Sequence, residues 1–473
     1  MTKKFIIYLL LILISLQNTA FAELGNNIDT KEFPNSDNVM PKATNDSHLI
    51  VSGSVQKNID MTLENCIMLA LGNNPEINAA FQDTLAADAR IKQVWSNFFP
   101  TFSWQTSYSH IKQLQLSDAL GENLQFDYYI LGQITLQEML YDFGVTQNQA
   151  TIKRLDYDAY KKTFEAVVND VICRTKEAYY NVLFAKERQR VAQDTVDKYQ
   201  MFYNQAKAFY KIGMNPKVDV TIAETNLSNA KLKLIQADNA INLAMAQLNN
   251  VMGLPYIKKY DVPEKLSFTP IKMNFEQAID TARKARPELK LAEIRVEGAN
   301  QAVKLSKKAF YPNFSVQYQY QRGGKSWNSN DGFNIGGYLI FPTINGMLIR
   351  NQIKEAKYTY DRELANAKKM QNAIYLEIQN AYLTLDEKRN QIPVATLQVK
   401  QAKENYDLSY GRYKVGEASP TELKDAQNAY DEAQLLYLTS IYEYNCAKAQ
   451  LEKSIGKNIA EDNCDAVELK SKK

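Results

Sequence analysis

The side chains best placed for chemistry are two carboxylates, Glu422 and Asp425, three residues apart just after Pro420. At that spacing they share one helix face. Acids in a first turn also complement the helix dipole, which alone accounts for many such pairs. If several copies of the chain converged here, the pair would repeat as a ring of carboxylates. Such a ring favours cations, and its members repel one another, which makes it a lever for opening. That chemistry is electrostatic selection rather than bond-making.

Nothing else in the chain competes with it. The two histidines are His48 and His110, and no His/Cys cluster has zinc-ligand spacing. Gly323-Gly-Lys-Ser326 lacks the upstream glycine of a phosphate loop and falls between expected strands, so it reads as a surface turn. No Ser, His and Asp set has catalytic spacing. The expectation is therefore no enzyme, no metal and no cofactor. A net charge of +3 gives no case for nucleic acid.

The elements that carry the acids occur twice. Met61-Thr-Leu-Glu through Asn74-Pro75 returns as Met273-Asn-Phe-Glu through Arg286-Pro287, and both copies continue into Glu. Tyr210-Lys-Ile-Gly213 returns as Tyr413-Lys-Val-Gly416, and a further glycine follows 40 residues later in each copy, Gly253 and Gly456. A duplication of this length predicts one supersecondary unit built twice. The units are expected over 59–256 and 273–456, with a linker at 257–272. Each should contain a helix broken near its proline, a strand pair (about 101–138 and 313–342), a long helix, a tight turn and a return helix ending at the glycine.

The long helices carry the clearest period. Counting back from Tyr210 in alternating steps of four and three reaches Phe164 with only Gln189 and Thr175 polar. The same count from Tyr413 to Ala367 meets Ser409, Lys388 and Gln371. A repeat of 3.5 residues is the coiled-coil period. The first long helix, about Val145 to Ile212, would be roughly 100 Å long at 1.5 Å per residue. Pro393 lies inside its counterpart and predicts a kink there.

The strands alternate instead. Phe314, Val316, Tyr318 and Tyr320 share one face against Ser315, Gln317, Gln319 and Gln321. Phe102, Trp104, Thr106 and Tyr108 repeat the pattern. Aromatic residues alternating with Gln and Ser match a membrane β-strand, and also a half-buried soluble sheet. Four such strands cannot close a barrel, and an open edge cannot sit in lipid, so the membrane reading requires oligomerisation.

The first 22 residues have the form of a signal peptide: Lys3 and Lys4, a short apolar run, then Ala20-Phe-Ala22. A polar arm (23–58) and a charged tail (457–473) flank the two units. Four cysteines are too few for a disulfide scaffold, although Cys446 and Cys464 leave room for one bridge.

Taken together, these pieces resemble the TolC family of outer-membrane efflux proteins. The resemblance rests on Thr-Leu-Glu…Ala-Leu…Asn-Pro-Glu and its second copy, on Phe99-Pro100 and Tyr311-Pro312, and on Tyr141-Asp-Phe-Gly144. The two Tyr-Lys-(Ile/Val)-Gly turns and the terminal glycines complete it. It implies a fold that is mainly α with a β-barrel part. Antiparallel coiled-coil helices would form a trimeric α-barrel in the periplasm, and four strands per subunit would enter a shared 12-stranded barrel in the outer membrane. It further implies a homotrimer in contact with outer-membrane lipid, a periplasmic adaptor and an inner-membrane transporter. The function implied is a passive conduit of a tripartite efflux system for drugs or toxic molecules. The alternatives are type I protein secretion and, from a different class, a soluble periplasmic coiled-coil adaptor. By the same resemblance the periplasmic constriction maps to Tyr413, Glu422 and Asp425, with Tyr210 and Asp219 in the first copy and Gly213 and Gly416 at the turn tips. The family's constriction arginine falls on Ala418, a departure, and Lys414 or another basic residue is left to replace it.

Overall fold

The computed structural model describes residues 61–457 apart from 114–123, 215, 255–259, 261, 272, 325–329 and 343–345. The expected signal peptide, the arm, the tail beyond 457, His48 and Cys464 lie outside the described residues, as do parts of the linker and of both strand-to-strand loops. The described chain is mostly helical, 75%. It contains α1 (Leu63–Asn73), α2 (Pro75–Trp95), β1 (Thr101–Gln113), β2 (Leu124–Tyr141), α3 (Val145–Lys211) and α4 (Lys217–Val251). The same order follows again as α5 (Phe275–Ala285), α6 (Pro287–Lys308), β3 (Asn313–Gly324), β4 (Asn330–Ile340), α7 (Gly346–Lys414) and α8 (Pro420–Ile455).

The break before each proline is built into side chains. Asn74 Oδ1 accepts from Glu76 N (2.8 Å) and so caps α2. Its Nδ2 donates to Val251 O (2.8 Å) at the end of α4. In the second copy Arg286 does the equivalent work, donating from Nη1 to Ser454 O (2.7 Å) near the end of α8. Arg286 is 5% exposed and also pairs with Glu288 and Glu377. The terminal glycines close the same clamps. Gly253 (φ +72°) lies so near Asn73 that an added Cβ would sit 2.4 Å from its carbonyl oxygen. Only glycine combines that conformation with that approach.

α3 and α7 span 67 and 69 residues. Most of the first heptad stripe is buried, including Val171, Ala178, Val182 and Ala206. The polar interruption Thr175 is fully buried as well, because its Oγ1 donates back to Val171 O (2.7 Å). In the second stripe Lys388 reaches Glu443 of α8 (2.9 Å). α7 runs unbroken through Pro393, whose ring lies on an exposed face. α4 packs on α3, α3 on α8, and α8 on α7. Between the two repeats Lys176 pairs with Glu452 at 2.6 Å, both under 10% exposed. Burial pushes the Cys66 and Cys173 thiols up to about 12, so they stay protonated and unreactive.

The four strands form one antiparallel sheet, β1-β2-β3-β4, with β1 and β4 as its edges. β3 pairs with β4 in unbroken register, while the β1–β2 register shifts between Gln105 and Ser107. The shift places one extra residue in β2 near Leu131, a bulge that reverses which β2 side chains share a face. Rows across one face read Phe102–Leu136–Tyr318–Ile335 and Trp104–Ile134–Tyr320–Phe333. Phe102, Trp104 and Phe333 are 62–70% exposed. The other face carries Ser103–Thr135–Gln319–Asn334 and Gln105–Gln133–Gln321–Gly332. At the helical end, Asp142 caps α3 by accepting from Gly144 N (3.0 Å) and Thr146 N (2.6 Å). Lys308 Nζ donates to Gly144 O (2.6 Å), so the Tyr141-Asp-Phe-Gly144 corner is tied to the second repeat.

The clamps should differ in weight. Arg286→Met leaves Ser454 O and two carboxylates unpaired and should cost roughly 3 kcal/mol, the low end for a broken buried pair because Glu288 and Glu377 still reach water. Asn74→Ala should cost about 1 kcal/mol, as for a lost cap. Thermal unfolding in detergent checks the order; equal losses would contradict it.

Candidate functional site

At the far ends of the long helices, two turns reverse the chain. Gly213 (φ +79°) and Gly416 (φ +82°) both adopt the left-handed conformation, and neither has an atom within 4 Å of an added Cβ. Conformation, not crowding, therefore requires glycine here. Met214 N donates to Phe209 O (2.9 Å) and Glu417 N to Arg412 O (2.9 Å), closing equivalent turns in both copies. The return helices start on Pro216 and on Ser419, whose Oγ accepts from Glu422 N (3.1 Å).

The expected residues divide into two groups. Tyr413 (5% exposed), Asp219 and Leu423 line one cleft of about 20 Å³, room for a single water. The cleft brings the second-copy tyrosine against the first-copy acid. Burial, then the Asp219 charge, raises the Tyr413 hydroxyl above its usual range. Tyr210, at the matching place in the first copy, is 46% exposed instead and lies outside that cleft. The two stripes are therefore not equivalent at their ends. Asp425 is exposed, and its charge reaches Tyr199.

Glu422 is held by a residue that the sequence did not single out. Arg412 Nη1 donates to Glu422 Oε1 across the turn, and its Nη2 to Glu417 O (3.4 Å). Ala418 packs against the apolar cluster of Tyr199, Phe202, Tyr413 and Leu423. The basic residue beside the acid is thus Arg412, adjacent to Tyr413, and not Lys414, whose ammonium lies 5.9 Å from the Tyr410 ring. Arg412 stands one residue before Tyr413, and only the antiparallel return of α8 brings it opposite Glu422.

Above the turns lies a second polar group. Asp431 accepts from Gln427 Nε2 (2.6 Å) and, across the repeat boundary, from Thr195 Oγ1 (3.1 Å). The Lys198 ammonium lies beside the stacked Tyr406 and Tyr430 rings, 5.0 and 4.7 Å from their centroids. These polar contacts are spread over 236 residues of sequence separation, and no local pattern marks them.

The described residues contain no group of three or more His, Cys, Asp or Glu side chains arranged to hold a metal. A family model described as "outer membrane efflux protein" matches residues 66–254 and 278–457, and the chain belongs to that family. It is an outer-membrane channel protein and not an enzyme. Among its relatives, protein CyaE of Bordetella pertussis is 22% identical over 376 residues, covering 78% of each chain. The probable efflux pump outer membrane protein TtgC of Pseudomonas putida is 19% identical, covering 84% of this chain and 83% of the relative. The solved CmeC outer membrane channel of Campylobacter jejuni matches with a TM-score of 0.69 and 19% identity, over 89% of this chain and 94% of that one. The soluble-adaptor alternative is thereby set aside.

Asp431 supplies a pH test. Burial raises its carboxyl above the usual range, with Lys198 pulling the other way. The native state then binds the proton more tightly than the unfolded chain. The charged form costs stability above the folded value, and that cost fades as pH falls toward the unfolded value near 3.9. Asp431→Asn should raise the Tm at pH 8, by an amount that shrinks toward pH 4. The same Tm difference at both pH values would contradict this.

Proposed function

We propose that three copies of this chain close into one conduit that carries small toxic molecules from an inner-membrane transporter through the periplasm and the outer membrane. The observation that carries the reading is the sheet. Among the described residues it has one exposed aromatic face, one polar face and two edges with no strand against them, which further copies would pair within lipid. Aromatic-out, polar-in strands are the pattern of an outer-membrane barrel.

The helices support the same closure. On α7, Leu376, Leu383 and Leu397 are 54–58% exposed at intervals of one and two heptads, and Val394, Leu408 and Val415 form a similar row. On α4, Leu232, Ile235 and Leu243 are 55–65% exposed. Apolar rows left bare on two helices call for further helices against them, and the α4 and α7 of neighbouring copies would satisfy both. The conduit does no chemistry, and a periplasmic adaptor would join it to the transporter. Efflux is favoured over protein secretion because TtgC is named as an efflux-pump component.

In this reading Tyr413, Asp219, Glu422 and Asp425, with Gly213 and Gly416 setting the turns, form the constriction. Tyr210 lies at its margin, and Arg412 replaces the expected arginine. Cell fractionation should place the protein in the outer membrane as a heat-labile trimer; a soluble monomer would end the proposal. In planar bilayers, Glu422→Gln with Asp425→Asn should weaken divalent-cation block several-fold. Unchanged block would remove the acids from the constriction.

A further inference from the structure

The charges of the sheet are distributed unevenly. Following the observed register, His110, Asp127, Arg322 and Asp331 all fall on the aromatic face at its loop end, and Glu138 falls on that same face toward the helical end. Tyr108 and His110 contact Asp127, and Tyr320 contacts Asp331, so these groups tie the ends of the aromatic rows. On the polar face, the described side chains include no Asp, Glu, Lys, Arg or His in any of the four strands. Glutamine, serine, threonine and asparagine occupy the middle rows instead, glycine stands in β4 at Gly332 and Gly336, and the uncharged Tyr128, Ile130, Met139, Tyr338 and Ile340 lie toward the two ends.

The register makes this a built arrangement. The β2 bulge near Leu131 shifts Asp127 onto the aromatic face; without it, the alternation that puts Gln133 and Thr135 inward would put Asp127 inward as well. A strand that crosses both leaflets needs its ionisable groups near the headgroups, and the bulge meets that need without placing a charge in the lumen. The amides and hydroxyls donate and accept but carry no net charge.

We propose that the β-barrel section of this channel is a charge-neutral, hydrogen-bonding passage. It would discriminate by width and hydrogen-bonding capacity and admit polar cargo of either charge sign. Charge discrimination is left to the turn end, where Glu422 and Asp425 lie. The inference rests on the conduit reading above and specifies the cargo class that its outer part accepts.

Gln319, in the middle row Ser103–Thr135–Gln319–Asn334, is the probe. Its half-exposed side chain would be repeated three times around the lumen. In planar bilayers under a salt gradient, Gln319→Glu should raise the cation-to-anion permeability ratio by about threefold or more, and Gln319→Lys should lower it comparably. Both variants should insert as the wild type does. Phe333→Lys, on the opposite face, should instead reduce the amount of trimer recovered from the outer membrane.

Two results separate the possibilities. If the wild type inserts but passes no current, the conduit reading itself fails. If the wild type conducts and both Gln319 variants leave its ratio unmoved, or if Gln319→Lys abolishes insertion while Phe333→Lys does not, the neutral passage is overturned and the conduit stands.

Discussion

A sheet edge cannot be left in hydrocarbon. Each unpaired amide or carbonyl there costs several kcal/mol, and no water is present to offset it. The strands of this chain leave that constraint unmet on two of their flanks. Among the described residues, β2 and β3 are paired on both sides, while β1 and β4 are each paired on one side only. The exposed aromatic face requires lipid, and the lipid requires closure. Most other features can be read as consequences. Identical units in a ring must be matched in length, and each must end in surfaces complementary to the next. In the proposed ring the bare apolar rows on α4 and α7 would be such surfaces.

The duplication solves the matching problem within one chain. Each repeat returns its second helix to its own helix break, where a side chain at equivalent positions, Asn74 or Arg286, holds the last carbonyls. The neutral amide and the buried guanidinium do the same mechanical work with different electrostatics. Arg286 adds Glu377 of α7 to the clamp, so the second hairpin is tied at both of its helices. The first hairpin is tied to its own break as well, through Arg174 of α3 and Glu76 of α2, and the buried Lys176–Glu452 pair joins the two hairpins. At the turns the asymmetry recurs: Tyr413 is buried against the first hairpin, and Tyr210 is left outside.

Periodicity made the elements legible. The heptad stripe reached α3 to within a residue of its observed end, and strict alternation over Asn313–Gln321 placed the faces of β3 up to the last three residues of the strand. β2 was less transparent. Its bulge near Leu131 interrupts the alternation, and a bulge is a property of pairing rather than of composition. The acids at the turn were legible from their spacing, but their partner was not. Lys414 is the nearest cation in the turn sequence, but it is Arg412 that reaches Glu422, because the two helices run antiparallel across the turn. The Asp431–Thr195 contact joins different repeats and follows from packing alone. Pro393 leaves α7 continuous, its ring lying on an exposed face.

Closure of the sheet edge by a second copy is the claim on which the rest stands. Within one chain β1 and β4 are three strand spacings apart, roughly 14 Å, beyond the reach of a disulfide. Ser103→Cys in β1 can be combined in turn with cysteine at Asn330, Gly332, Asn334 and Gly336 of β4, then oxidised in the outer membrane. At least one pair should give covalent dimers and trimers on a denaturing gel. If every pair yields only monomer while the protein remains in the outer membrane, β1 does not meet β4 of a neighbour, and the ring is contradicted.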